Sequence, residues 1–116
     1  MSTARVLLVD DEETIRDGLA PFLGRSGFEV TTAADGRAAL DALAGEAVDI
    51  VVSDILMPGM DGRELVRRLR AADNWTPIIL LTRVGASFER SAALEEGADD
   101  YLNKPFDPTR ASAGRW

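Results

Sequence analysis

Four short apolar segments of the chain run into residues able to do chemistry. Asp10 and Asp11 follow residues 5–9, Asp54 follows 48–53, Thr82 follows 77–81, and Lys104 lies just beyond Tyr101-Leu102. If these ends meet, three carboxylates, a hydroxyl and an ammonium share one small space. Acids so gathered repel one another unless they take up protons or hold a cation. Magnesium fits best: it takes octahedral oxygen, keeps several waters, and is bound through one or two carboxylates together with phosphate oxygens. The reaction such a set suits is transfer of a phosphoryl group onto a carboxylate. That step needs the charge on the equatorial oxygens neutralised and the attacking and leaving atoms held in line. A divalent ion, the Lys104 ammonium and the Thr82 hydroxyl would supply this. Taken singly, each residue has a plainer reading. Asp11 would cap the next helix, Glu12 and Glu13 would favour its positive end, Thr82 would be a turn residue, Tyr101 core, and Lys104 solvent-facing. For Glu12 and Glu13 the helix-terminus reading is adopted.

The elements that must position these residues follow from the spacing of apolar side chains. Residues 5–9, 50–53 and 77–81 are continuous apolar runs, the pattern of strands buried on both faces. Residues 28–33 form another strand after a turn at Gly27, and Tyr101-Leu102 a short fifth. Helical spacing puts Ile15, Leu19, Phe22 and Leu23 on one face of residues 12–24, and turns Ala39, Leu40 and Leu43 inward in a helix capped by Asp35-Gly36. A third helix begins after Asp61-Gly62 with Leu65, Val66 and Leu69 apolar; Arg63, Arg67, Arg68 and Arg70 point outward as a solvated face. A fourth spans about 87–96 and closes on Gly97. Pro21 removes a backbone donor, at ~3 kcal/mol in a helix interior, and predicts a kink or an early end to the first helix. Strand alternates with helix, so the chain reads as α/β with a parallel sheet covered on both faces. In the doubly wound order 2-1-3-4-5, the crevice opens at the carboxyl ends of the first and third strands, where Asp10, Asp11 and Asp54 stand.

The stretch Asp54-Ile55-Leu56-Met57-Pro58-Gly59-Met60-Asp61-Gly62 resembles the phosphoacceptor segment of bacterial response-regulator receiver domains. The order Asp-Asp, Asp, Thr, Tyr, Lys-Pro along successive strands is similar as well, and the resemblance covers roughly residues 4–108. It implies a flavodoxin-like doubly wound five-stranded parallel sheet, with residues 1–116 forming a single receiver domain of a two-component system. It also implies Asp54 as the residue phosphorylated in a magnesium-dependent reaction. Asp11 would be a direct metal ligand, Asp10 would act largely through water, and Asp54 and the backbone carbonyl of Leu56 would complete the site. Lys104 would pair with phosphoryl oxygens, its peptide to Pro105 being often cis in the family. Thr82 and Tyr101 resemble the family's switch pair: the hydroxyl moves toward the phosphoryl group, the ring fills the vacated space, and a partner-binding surface repacks. The donor would be a histidine kinase or phosphotransfer protein, and because the chain has no His, the donor histidine must be on another protein. Catalysis would extend no further than the domain's own phosphorylation and dephosphorylation.

Two features depart from the family pattern. Arg83 stands where a small residue is common, at the mouth of the expected pocket. Residues 107–116 start like the closing fifth helix but carry no apolar stripe, so that helix is expected to be atypical or missing. The sheet side it covers would be exposed, covered by sequence outside this chain, or covered by a second copy in a homodimer through the fourth-helix and fifth-strand side.

Composition narrows the alternatives. The 116 residues, 46% of them hydrophobic, fit one domain. A net charge of -7 argues against direct nucleic-acid contact. Without Cys or His, disulfides and thiolate or imidazole metal sites are excluded. No apolar run approaches membrane-spanning length and the start has no basic-then-apolar leader, so no membrane association and a cytoplasmic location are expected. A nucleotide- or flavin-binding enzyme of the same architecture is disfavoured, because the first loop is Asp10-Asp11-Glu12-Glu13 and no glycine-rich phosphate cradle occurs. A phosphatase with an aspartyl intermediate is disfavoured by Leu56, where an acid would be needed. The remaining alternative is a pseudo-receiver that serves only as a protein-interaction module.

Overall fold

A computed structural model describes residues 3–55, 57–82, 97–98 and 100–103. Along the chain these form β1 (Arg5–Val9), α1 (Glu13–Arg25), β2 (Glu29–Ala33), α2 (Gly36–Gly45), β3 (Ile50–Asp54), α3 (Gly62–Ala71), β4 (Ile78–Thr82) and β5 (Asp100–Asn103). The five strands make one parallel sheet in the order β2-β1-β3-β4-β5, as the doubly wound reading expects. Register aligns their carboxyl ends: Val9 lies opposite Ala33 and Ser53, Asp54 opposite Leu81, and Thr82 opposite Asn103.

Because side chains alternate along a strand, the continuous apolar runs feed two cores at once. Leu7, Val9, Val51, Ile78 and Leu80 pack with Leu65, Val66 and Leu69 of α3 and Ala39 of α2. Val6, Leu8, Ile50, Val52, Ile79 and Leu81 pack on the other side with Leu23 of α1, and Leu19 and Phe28 lie against them. Ile79 and Leu81 of β4 are buried on this side of the sheet. The expected fourth and fifth helices lie outside the described residues.

Helix ends carry their own chemistry. Asp35 caps α2 by accepting from the Ala38 N–H at 2.8 Å, and Asp61 caps α3 by accepting from the Glu64 N–H at 2.8 Å. Gly27, at φ 102°, ends α1: its N–H reaches the Gly24 carbonyl and the Phe28 N–H the Leu23 carbonyl, both at 3.1 Å. The early end expected at Pro21 does not occur, and α1 continues to Arg25. Pro21 and Asp17, whose carbonyl loses its helical donor to the proline, are both exposed, so water can serve that carbonyl.

Candidate functional site

At the end of β1, Asp10 is fully buried and its backbone is pinned. Its N–H donates to the Ala33 carbonyl at 3.1 Å, its Oδ1 accepts from the Glu12 N–H at 2.9 Å, and its carbonyl accepts from Arg16 Nη1 at 2.6 Å. Asp11 does not cap α1. That position belongs to Glu12, which has extended backbone and no side-chain cap bond. The turn leaves the Asp11 side chain to the crevice.

At the end of β3 the chain is buried through Asp54, which is 4% exposed. Its carbonyl accepts from the Ser53 hydroxyl at 2.9 Å, and the next N–H, of Ile55, donates to the Leu81 carbonyl at 3.0 Å. The motif after Asp54 is built to return the chain onto this strand end. Gly59 takes φ 80°, a conformation that costs glycine nothing. A Cβ on Gly62 would strike the Asp54 carbonyl oxygen and lie 3.0 Å from Ile55 Cα, while the Gly62 N–H donates to the Ile55 carbonyl at 2.8 Å. Met60 in turn sits where a Cβ on Gly36 would be, at 2.8 Å from its Sδ. The first turn of α3 thus rests directly on the backbone of Asp54.

These two strand ends bring carboxylate oxygens of Asp10, Asp11, Glu12 and Asp54 within 4.8 Å of one another. The donor set suits a hard divalent cation: it is all oxygen, with Asp10 and Asp54 buried beneath and Asp11 and Glu12 exposed, where water and an incoming group can reach. When bound, such an ion would neutralise the acids and the oxygens of a transferring phosphoryl group.

The expected companions are located only in part. Thr82 ends β4 one residue beyond Leu81, the partner of Asp54, and Tyr101 of β5 pairs with Leu80 of β4. Lys104 comes directly after Asn103, the last residue of β5. Leu56, Arg83, Lys104 and the peptide to Pro105 lie outside the described residues, as do the side chains of Thr82 and Tyr101. Two residues escaped sequence reading. Glu12 joins the acid cluster, since a helix-capping position and a crevice-lining one coincide here. Arg16 reaches back one turn to Asp10, and only its i+4 spacing from Glu12 could have hinted at this. A third reading needs correction: Arg70 is not part of a solvated face but is half-buried, bonded to the carbonyls of Asn74, Thr76 and Gly97.

Among the described residues no helix is long and apolar enough to cross a membrane. Comparison with known proteins places this geometry in a family. Residues 6–113 match the response regulator receiver domain. The transcriptional regulatory protein TcrA of Mycobacterium tuberculosis is 47% identical over 107 residues, which cover 92% of this chain and 42% of that protein. The alkaline phosphatase synthesis transcriptional regulatory protein PhoP of Bacillus subtilis is 42% identical over 109 residues, 94% of this chain and 45% of that protein. The chain therefore spans less than half the length of these curated relatives. The solved structure of the Vibrio cholerae chemotaxis protein CheY4 superposes with a TM-score of 0.86 at 38% identity, covering 95% of this chain and 93% of that one. With the sheet order, the acid crevice and matches over nearly its whole length in agreement, the chain belongs to the response regulator receiver domain family of two-component signalling, in which phosphorylation on an aspartate is general.

Proposed function

We propose that Asp54 is the phosphoacceptor, in a magnesium-dependent reaction with a phosphohistidine on a histidine kinase or phosphotransfer protein. One observation carries the reading: a buried carboxylate at the end of β3 lies within 4.8 Å of the carboxylates that follow β1. Asp10, Asp11, Asp54 and the Leu56 carbonyl would hold the ion. A carboxylate oxygen of Asp54 attacks phosphorus, the phosphorus–nitrogen bond breaks, and the imidazole leaves with the donor protein. Lys104 then pairs with a phosphoryl oxygen, and the Thr82 hydroxyl turns toward another. The Tyr101 ring follows into the vacated space, so the surface around β5 repacks and a partner can tell the two states apart. The buried position of Asp54, whose carbonyl accepts from the Ser53 hydroxyl and whose next residue Ile55 accepts from the Gly62 N–H, supports a nucleophile that is fixed before the donor arrives.

The reading takes residues 1–116 as one cytoplasmic receiver that makes its own aspartyl phosphate and hydrolyses it, without other enzymatic activity. TcrA and PhoP are transcriptional regulatory proteins, so transcription is an output for those proteins. Here, a net charge of -7 supports leaving nucleic-acid contact to parts outside the matched region. A homodimer through the β5 side belongs to the same reading.

Incubation with acetyl phosphate and magnesium, followed by intact mass, tests it. The wild-type chain gains one phosphoryl group, chelation of magnesium prevents the gain, and Asp54→Asn gains none. No adduct on the wild type, or an undiminished adduct on Asp54→Asn, would overturn the assignment.

A further inference from the structure

Arg16 lies on the first turn of α1 and grips both ends of the acid loop. Its backbone N–H donates to the Glu12 carbonyl at 3.2 Å, and its Nη1 donates to the Asp10 carbonyl at 2.6 Å. Asp11 stands between those two carbonyls, so one residue brackets the backbone of the most exposed stretch of the site. We propose that Arg16 is a positioning residue of the cation site. By fixing the Asp10 carbonyl it sets the turn that sends the Asp11 side chain into the crevice, where four carboxylates lie together. The inference rests on the reading of the crevice as a magnesium site.

Two physical effects of Arg16 have opposite signs, and this makes the proposal decidable. A guanidinium beside a cation site repels the cation, so if its charge were all that mattered, removing it would tighten magnesium binding. If its hydrogen bond orders the ligands, removing it weakens binding, as losing a group that orients metal ligands commonly does. The half-buried placement of Arg16, with its head on a backbone carbonyl rather than on a carboxylate, favours the second effect.

The test is magnesium titration by isothermal calorimetry on the full chain, with melting in metal-free buffer as control. Arg16→Met is expected to bind magnesium about tenfold more weakly than wild type, with its metal-free melt still cooperative. Arg16→Lys, which keeps a donor and the charge, recovers part of the loss. Affinity equal to or tighter than wild type in Arg16→Met overturns the proposal. If Arg16→Met does not fold, Arg16→Gln takes its place with the same expected weakening and the same overturning result. A wild-type chain that binds no magnesium would instead sink the reading of the site itself.

Discussion

The two ends of the sheet handle charge in opposite ways. At the carboxyl end, four carboxylates crowd within 4.8 Å. At the amino end, opposite groups are paired. The Arg5 backbone N–H donates to Asp49 at 2.6 Å, and its guanidinium meets Glu46 at 2.7 Å and Glu29 at 3.8 Å. Arg70 donates to the carbonyls of Asn74 and Thr76 at 2.9 Å and to that of Gly97 at 2.8 and 3.1 Å, with the Trp75 ring 5.3 Å from its guanidinium carbon. The exposed Arg5 pairs contribute little, below about 1 kcal/mol. Arg70 is a different case, because it satisfies backbone groups of two separate connections. The carboxyl end can therefore gather like charges where a cation could share them, because cohesion resides in the two cores and at the other end. The helix α3 spans both regimes: it starts with Gly62 on the Asp54 carbonyl and finishes with Arg70 on the loops beneath.

The largest test strikes the upper end of α3. In Gly62→Ala the new methyl group must displace either the helix or the backbone of Asp54, because the obstructing atoms are main chain and cannot swing away. Urea denaturation should show a loss of about 3 kcal/mol, at the upper end of what overpacking costs. Phosphorylation by acetyl phosphate should fall with it, since the carbonyl of Asp54, the proposed phosphoacceptor, is what moves. A variant as stable and as reactive as wild type would mean that the close approach does not position the site.

The next test asks whether the rim is repulsive. Magnesium at a hundredfold excess over its dissociation constant should raise wild-type stability by about 2.7 kcal/mol. Asp11→Asn removes a proposed ligand and one of the crowded charges together, so its effect should change sign between buffers. With saturating magnesium it is the less stable protein, having lost most of that increment. In metal-free buffer it is the more stable by about 0.5 kcal/mol, the scale of one exposed charge interaction. Thermal melts with and without magnesium read both. Destabilisation of the metal-free variant would end the comparison as drawn.

The fold was legible because its signals are redundant. Residues 5–9, 50–53 and 77–81 could be buried strands on either face, and the alternation that divides them between two cores follows from strand geometry alone. Turn and cap residues agreed with them at Gly27, Asp35 and Asp61. The site was legible at Asp10, Asp11 and Asp54 because a carboxylate at the end of a fully apolar strand has few other places to go. What escaped was long-range or contrary to local preference. Nothing in the order of residues says that Arg70 bonds to Gly97, since that contact depends on how α3 packs against β4. The end of α3 carries no glycine signal either. Asp73 adopts φ 60°, and the Asn74 N–H closes on the Leu69 carbonyl at 2.8 Å, a termination usually left to glycine or asparagine. Pro21 does not end α1 for the reverse reason: its local penalty is real, but the packed face of α1 continues past it to Leu23.

The sharpest test of the comparison belongs to Arg70. Replacing it with Met keeps an apolar stem against Trp75 but removes every donor to the carbonyls of Asn74, Thr76 and Gly97. Charge-assisted bonds of this kind are worth more than neutral ones, yet partial exposure lets water replace some of them, so a loss of about 2 kcal/mol is expected. Arg70→Lys should fall between, because an ammonium cannot span three carbonyls as a planar fork does. Chemical denaturation measures both, and in a Trp116→Phe background the fluorescence of Trp75 reports loss of its cationic neighbour. Magnesium affinity should stay unchanged in the folded Arg70→Met protein, because the carboxylates lie at the opposite end of the strands. If it fell along with stability, the two ends would be mechanically coupled through α3, and the division between a cohesive end and a reactive end would have to be replaced by a single cooperative unit.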